Sequence, residues 1–214
     1  MGLIEKKEMP KDCLLGTWEI LEDYENLFSL VDLEKDEIQR LERFQNYNRK
    51  LEYLSVRVLL KNLIGGDVRI LYDLTNKPYL KDNSYQISIS HSHKLTSILL
   101  SKIKQVGIDL EFMSHRISNI AYKFIHPAEK ITDDPELKKY HLYIHWCAKE
   151  ALYKICDKEQ LNFKNNLYIE PFEVAEKGDI KGIVHSNEMH QEFKLYYFKM
   201  QNYVIVMCCK HLCK

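Results

Sequence analysis

Two stretches with helical periodicity dominate the first third of the chain. Apolar residues recur at three-residue steps over positions 38–44, which is typical of one helical face, and Asp32 precedes them as a candidate N-cap. A second periodic segment, 51–59, predicts a longer helix that ends at Gly65-Gly66, because glycine adopts the left-handed conformations that end helices. Positions 17–21 have a strand pattern. The sequence therefore predicts a strand followed by two helices.

Strand patterns dominate the middle of the chain. Positions 68–72 favour a strand, and Asn76-Lys77-Pro78 marks a turn, because proline fixes its own φ and restricts the residue before it. Polar and apolar residues alternate over 86–90 and again over 106–111, and 95–100 is continuously apolar. Three consecutive strands are therefore expected.

The second half combines helices with a final hairpin. Positions 117–125 predict a helix, and Pro135 stands at the first turn of a long helix that runs to about Asp157. The strand patterns 192–200 and 203–210 predict a hairpin. The second half therefore also mixes helices with strands.

Composition and charge exclude several classes of protein. The 214 residues are 45% hydrophobic and 29% charged, the balance of a compact globular protein. Lys plus Arg and Asp plus Glu both total 31, so no overall field attracts nucleic acid or a membrane surface. No apolar stretch approaches the roughly 20 residues of a membrane helix. We expect a cytoplasmic protein with reduced cysteines, and we interpret the closely spaced Cys209, His211 and Cys213 as strand-end residues rather than a metal clip.

Two acidic residues of one predicted strand are candidates for metal binding. Asp109 and Glu111 are two positions apart, so their side chains leave the same face, and Gly107 allows a close approach to the backbone. Their carboxylates would be close enough to share one cation. A solvated strand face is the alternative for this spacing taken alone.

The long predicted helix and a strand end supply further candidates. Trp146, Glu150 and Lys154 are spaced four apart and share one helical stripe. An ordinary surface ion pair is the alternative for Glu150 and Lys154. Ser90 and His91 lie at the end of a strand and offer donors for phosphate oxygens, although such a histidine often serves only as a local hydrogen-bond partner.

Taken together, four segments resemble the signatures of the surfactin-type 4'-phosphopantetheinyl transferases, in their order and their gaps. The most specific parts of the resemblance are the Gly-Ile-Asp-Leu-Glu strand and the Trp-Cys-Ala-Lys-Glu-Ala-Leu-Tyr-Lys helix. The resemblance covers about residues 40–155 and rests on Asn76-Lys77-Pro78, Ile89-Ser90-His91-Ser92, Val106-Gly107-Ile108-Asp109-Leu110-Glu111 and the helix 146–154.

The resemblance implies a fold and a reaction. It implies an α+β fold of two similar halves, 1–103 and 104–214, in a pseudo-twofold arrangement, with coenzyme A and magnesium in the cleft between them. The implied enzyme transfers the 4'-phosphopantetheine group of coenzyme A to a serine of an apo acyl or peptidyl carrier protein and releases 3',5'-ADP. Fatty acid, polyketide and peptide synthesis all use such carriers, and the sequence does not choose among them.

The resemblance also implies roles for individual residues. Asp109, Glu111 and Glu150 would coordinate magnesium, and Lys154 would neutralise charge on the transferring phosphate. Glu150, directly or through a bound water, would take the serine proton. His91, with Ser90, would contact the phosphates of coenzyme A, and Lys77 would lie near its adenosine. Lys149 is expected either to hold a phosphate or to be solvated.

The first half departs from the family pattern at one position. Glu52 stands where many relatives place an arginine that meets the 3'-phosphate of coenzyme A. Arg49 and Lys50 are our candidates for that contact, with Arg57 also near and Arg40 and Arg43 as alternatives. Cys147, in place of the usual small polar residue of the family, is expected to pack.

Two other functions stay open. One is a coenzyme A or carrier-protein binding module without activity, and the other is a different magnesium-dependent phosphoryl transferase, which no glycine-rich phosphate loop supports. The chain is long enough to hold both halves, so we expect a monomer rather than the trimer of the shorter transferases. The connection 113–119 and the helix after it, through His126, are expected to dock the carrier, with Arg116 as a contact.

Overall fold

The computed structural model describes residues 2–9, 12–66, 68–156, 161–186 and 189–211. The chain divides into two compact units, Met1–Lys102 and Ile103–Lys214. Each unit combines α-helices with antiparallel strands, so the predicted α+β class is confirmed. Within the described residues, no helix is long and apolar enough to cross a membrane.

The first unit is built on a four-stranded sheet with the strand order β1-β2-β6-β5. A separate two-stranded sheet pairs β3 with β4. The strands of this unit are β1 (Leu3–Met9), β2 (Cys13–Glu19), β3 (Ile70–Tyr72), β4 (Pro78–Leu80), β5 (Gln86–Ser92) and β6 (Leu95–Ser101).

Three helices complete the first unit: α1 (Tyr24–Ser29), α2 (Lys35–Glu42) and α3 (Tyr47–Ile64). Helix α3 packs against β2 and β6 through fully buried residues such as Leu54 and Leu59. It ends, as predicted, at Gly65 and Gly66, whose φ angles are 71° and 72°. The predicted helices and the turn before Pro78 are confirmed.

The predicted N-cap of α2 is wrong. Glu34 is the N-cap, and it forms a reciprocal capping box with Glu37. Asp32 lies farther from the helix, where its backbone oxygen accepts a hydrogen bond from Arg69. A carboxylate at Glu34 satisfies the same free backbone N–H groups that Asp32 was expected to satisfy.

The second unit is built on a five-stranded sheet with the order β7-β11-β10-β9-β8. Its strands are β7 (Lys104–Phe112), β8 (Leu167–Ile169), β9 (Lys177–Ser186), β10 (Met189–Met200) and β11 (Tyr203–His211), and its helices are α4 (Ile117–Phe124) and α5 (Pro135–Cys156). Helix α5 lies on this sheet and buries Ala148, Ala151 and Leu152 completely.

Most predictions for the second unit are confirmed. The hairpin between β10 and β11 closes at the pair Met200↔Tyr203, and the long helix begins at Pro135. Three predicted strands exist as β5, β6 and β7, although β7 belongs to the sheet of the second unit and not to that of β5 and β6. The predicted helix end at Asp157 and the residue Cys213 lie outside the described residues.

Candidate active site

Strand β7 and helix α5 approach each other closely at Gly107. A Cβ atom at this position would lie 2.2 Å from the backbone oxygen of Ala151, a separation that real Cβ atoms do not show. The predicted close approach at Gly107 is therefore confirmed, and the approaching group is the backbone of α5. This contact fixes the spacing between the carboxylates of β7 and the polar stripe of α5.

The structure brings together five side chains from these two elements, which we call the β7–α5 cluster: Asp109, Glu111, Trp146, Glu150 and Lys154. Nζ of Lys154 lies 2.7 Å from Oδ1 of Asp109 and also donates to the backbone oxygen of Ile108 at 2.9 Å. The indole Nε1 of Trp146 donates to Oε1 of Glu111 at 3.4 Å. Residues that are far apart in sequence thus meet because alternate positions of a strand face one stripe of a helix.

Electrostatics within the β7–α5 cluster change the acidity of Glu150. Burial raises the pKa of this carboxyl to about 7, and the nearby carboxylates of Asp109 and Glu111 contribute to that rise against the opposing effect of Lys154. Glu150 is therefore balanced between its neutral and ionised forms near neutral pH, where a proton acceptor is most effective.

Cys147, one residue after Trp146, faces the interior of the unit. Its side chain is fully buried, and burial raises the pKa of its thiol well above the usual value. A buried neutral thiol packs and does not react. The predicted packing role of Cys147 is confirmed.

The carboxylates of the cluster suit magnesium chemically. Among the described residues, no group of three or more His, Cys, Asp or Glu side chains is assembled closely enough to hold a metal ion by itself. Magnesium does not require such a cage, because it is usually bound by one or two carboxylates, by waters and by the phosphates of its substrate. Burial is the largest cause of the raised pKa of Glu150, and the repulsion from Asp109 and Glu111 that adds to it is of the kind that a divalent cation relieves.

Lys149 is not solvated, and that alternative is wrong. Its side chain is fully buried, and Nζ donates to the backbone oxygens of Phe124 and Phe163 and to Oε2 of Glu129, at 2.6, 3.0 and 2.9 Å. All three ammonium protons thus point at protein acceptors. A phosphate contact would require this buried ion pair to open, so Lys149 is not part of the β7–α5 cluster.

Sequence reasoning missed the network around Lys149. The carboxylate of Glu129 also accepts from the backbone N–H groups of His126 and Ile169, at 2.7 Å each, and lies 3.6 Å from Nδ1 of His145. Burial would raise the pKa of Glu129, but His145 and Lys149 outweigh it and lower the pKa. His141, His145 and Lys149 are spaced four apart on α5, and this second polar stripe was the signal available in the sequence.

In the first unit, the structure brings Arg49, Glu52 and His91 together. Nη1 of Arg49 lies 2.7 Å from Oε2 of Glu52 and 2.7 Å from Nε2 of His91, and Nδ1 of His91 lies 3.3 Å from the same oxygen of Glu52. The residue that departs from the family pattern is thus a direct neighbour of two predicted phosphate contacts. Arg49 is exposed and His91 is half-buried, so both are accessible to an anion.

The other predicted contacts of the first unit are more dispersed. Lys77 follows the turn at Asp73 and is half-buried, Lys50 is half-buried on α3, and Ser90 is buried on β5. Arg57 cannot supply free charge, because it is buried and its Nε donates to Oε1 of Glu37 at 2.8 Å. Its guanidinium also stacks on Tyr53, with Cζ 3.4 Å from the ring centroid.

Comparison with known proteins agrees with this geometry. Residues 105–208 match the model of the 4'-phosphopantetheinyl transferase superfamily. The chain is also 27% identical over 140 residues to the 4'-phosphopantetheinyl transferase HetI of Nostoc sp. (strain PCC 7120), a match that covers 57% of this chain and 58% of the relative. The chain thus spans little more than half the length of that relative. The matched residues 105–208 include the entire β7–α5 cluster, so the similarity to the 4'-phosphopantetheinyl transferase superfamily covers the candidate site.

Proposed function

We propose that this chain transfers the 4'-phosphopantetheine group of coenzyme A to a serine of an apo acyl or peptidyl carrier protein, with magnesium as its metal. One observation carries this proposal. Two carboxylates of β7 face a carboxylate and an ammonium group of α5, with Lys154 Nζ 2.7 Å from Asp109 Oδ1, inside the segment that matches the superfamily. Carboxylates that hold magnesium, together with a lysine that neutralises phosphate charge, recur in enzymes that transfer phosphoryl groups.

The residues of the β7–α5 cluster would have different roles in the reaction. Asp109, Glu111 and Glu150 would hold the metal, and Lys154 would stabilise negative charge on the transferring phosphate. When bound, magnesium supplies positive charge that polarises the phosphate oxygens. Glu150 would accept the proton of the attacking serine, directly or through a water.

The proposed reaction needs no reactant other than coenzyme A and the carrier serine. The serine Oγ forms a bond to the phosphorus next to the pantetheine arm, while the bond from that phosphorus to 3',5'-ADP breaks. The serine proton passes to Glu150 or to the water between them, and Lys154 offsets the charge that develops on the oxygens of the transferred group.

The basic residues of the first unit would contact the nucleotide part of coenzyme A. Arg49 and His91 lie 2.7 Å apart, and the guanidinium of Arg49 is a planar fork that matches phosphate. Lys50, Ser90 and Lys77 are further proposed contacts. Glu52 would compete with phosphate for Arg49, so this site needs the anion to displace an existing ion pair.

Helix α4 is part of the proposed docking surface for the carrier. An open cavity of about 510 Å³ is lined by α4, by the segment after it and by the ammonium-bearing Lys138 and Lys164. Arg116 is exposed at the N-cap of α4. Positive groups around an open cavity favour an acidic partner helix. We also propose that the chain acts as a monomer, with a mass of 25.5 kDa in light scattering.

The test is the intact mass of a purified apo acyl carrier protein after incubation with this chain, coenzyme A and magnesium. We expect a gain of one phosphopantetheine group. Glu150→Gln should lower the rate at least about 100-fold, because general base catalysis contributes that much or more. Glu136→Gln removes an exposed carboxylate from the same helix and should leave the rate unchanged.

The alternatives predict different results. An inactive binding module would bind coenzyme A without any mass gain on the carrier. A different phosphoryl transferase would transfer a group of another mass. Transfer that continues without magnesium, or in Glu150→Gln at the full rate, would contradict the proposed roles of the β7–α5 cluster.

A further inference from the structure

The two elements of the β7–α5 cluster are joined by a contact that the transfer chemistry does not use. Trp146 lies one helical turn before Glu150, and its indole N–H reaches across to Oε1 of Glu111 at 3.4 Å. Glu111 lies on the edge strand β7, near the end of that strand. A long carboxylate side chain at such a place has several rotamers available, so a fixed donor restricts which one it adopts.

The indole ring is itself held by two aromatic side chains. Phe124, the last residue of α4, packs edge-on against Trp146 with 5.1 Å between ring centroids. Phe163, from the segment before β8, packs at 5.6 Å, and Tyr153 of α5 packs on Phe163 at 5.5 Å. Contacts of this kind are favourable at these separations. The ring that donates to Glu111 therefore has a defined orientation.

The backbone of both clamping residues is tied to α5. Nζ of Lys149 donates to the backbone oxygens of Phe124 and Phe163, at 2.6 and 3.0 Å. Lys149 is fully buried and is held in place by Glu129 at 2.9 Å. One buried ammonium group thus places the two rings between which Trp146 is clamped.

We propose that Trp146 is a positioning residue, which orients Glu111 for the metal and is itself aligned by Phe124, Phe163 and Lys149. This inference rests on the proposed function, because Glu111 needs a defined orientation only if it binds the metal. Partners that orient metal ligands typically change metal affinity 10-fold to 100-fold when they are removed. The bond is long for a hydrogen bond, so we expect about a tenfold effect.

The test measures Mn²⁺ binding by the electron paramagnetic resonance of free Mn²⁺, with protein and coenzyme A at equal concentrations. A protein-free sample of coenzyme A gives the Mn²⁺ that this substrate binds alone. Trp146→Phe keeps an aromatic ring between Phe124 and Phe163 but removes the N–H donor. We expect its dissociation constant for Mn²⁺ to rise about tenfold.

The chain offers a matched control. Trp18, in the first unit, also donates its Nε1 to a glutamate, Oε2 of Glu22, at 3.3 Å. Trp18→Phe removes an equivalent bond and should change Mn²⁺ affinity less than about twofold. Thermal midpoints of both variants report whether each still folds. If Trp146→Phe does not fold, site-specific benzothienylalanine at position 146 keeps the ring shape and replaces N–H with sulfur.

A double-mutant cycle with Glu111→Gln separates this inference from the proposed function. Glu111→Gln should weaken Mn²⁺ binding, and adding Trp146→Phe to it should have little further effect, because both changes act through one carboxylate. An unchanged affinity in Trp146→Phe, or an equal loss in the Glu111→Gln background, would overturn the positioning role alone. An unchanged affinity in Glu111→Gln would remove the metal role of Glu111, and the inference with it.

Discussion

At the scale of residues, the second unit contains two clusters of polar side chains that include residues of α5, and the two clusters differ in how deeply they are buried. In the β7–α5 cluster, Lys154 keeps partial exposure and an ion pair with Asp109 that phosphate can join. In the network of Glu129 and Lys149, both side chains are fully buried and every donor of the lysine has a protein acceptor. The first arrangement is suited to chemistry and the second to holding the loops around it.

We predict that Lys149→Met destabilises the protein strongly. Removing one partner of a buried ion pair leaves the other charge uncompensated, which costs about 3–5 kcal/mol. For a chain of this size that corresponds to a fall in melting temperature of about 6–20 °C. Calorimetry measures it, and Lys181→Met is the matched control, because Lys181 meets Glu170 on the surface at 3.9 Å. Equal melting temperatures for the two variants would contradict this prediction.

The histidines of α5 predict a loss of stability in mild acid. Burial, and then the nearby His145, lower the pKa of His141 to about 4 from 6.5. Between pH 4 and 6.5 the unfolded chain therefore binds more protons at His141 than the folded chain does. Stability contributed by neutral His141 is complete above pH 6.5 and is lost as pH falls toward 4.

Urea unfolding between pH 7 and 4.5 tests this directly. His141 alone should add a slope of at most about 1.4 kcal/mol per pH unit inside that window. His141→Gln should flatten the curve relative to the parent, although it also loses the bond from the backbone N–H of Thr132. His115→Gln, at an exposed position, should leave the slope unchanged. A parental slope in His141→Gln would show that other groups cause the acid sensitivity.

At the scale of elements, the sequence predicted those that bury many apolar side chains. The regular apolar spacing of α3 and the alternation of β5 and β7 predicted their positions closely. Strand β1 and helix α1 were missed: β1 lies at a sheet edge with mostly exposed residues, and α1 has six residues and one buried side chain, Leu27. Such short or exposed elements bury too few apolar side chains for periodicity to reveal them.

Periodicity also predicted only part of the candidate site. The spacing of Asp109, Glu111, Glu150 and Lys154 predicted which side chains share a face, and the structure brings them into one cluster. Glu129 was missed because it lies in an irregular segment, and its partners become neighbours only through the fold. The burial of Lys149 was missed for the same reason.

We predict that Gly107→Ala impairs both stability and transfer. The added methyl group would meet the backbone oxygen of Ala151, which moves only if β7 or α5 moves. Overpacking of this kind costs about 1–3 kcal/mol or more, and any shift would separate Asp109 and Glu111 from Glu150. Gly182→Ala is the matched control, because the atoms nearest to its methyl would belong to the flexible side chains of Leu152, Leu195 and Ile169 rather than to backbone. Urea unfolding and the carrier-mass assay measure the two effects.

At the scale of the whole molecule, the chain carries no net charge that attracts a partner. Its formal net charge at pH 7 is +0 and its isoelectric point is about 7.1. Recognition of the proposed acidic carrier would therefore depend on a local group of basic residues. The pseudo-twofold arrangement of the two units stays a prediction, and the basic residues proposed for carrier docking, Arg116, Lys138 and Lys164, all belong to the second unit.

We predict that Arg116→Glu weakens carrier binding but leaves coenzyme A affinity intact. Reversing one charge at a docking surface replaces attraction with repulsion, which should raise KM for the carrier about tenfold, more so at low salt. Lys177→Glu is the matched control, because it makes the same change of net charge at an exposed position on β9. Equal effects of the two variants would mean that total charge and not α4 governs docking. An unchanged KM for the carrier in Arg116→Glu would remove Arg116 from the docking surface, and the positive residues around the cavity, Lys138 and Lys164, would then have to be tested in its place.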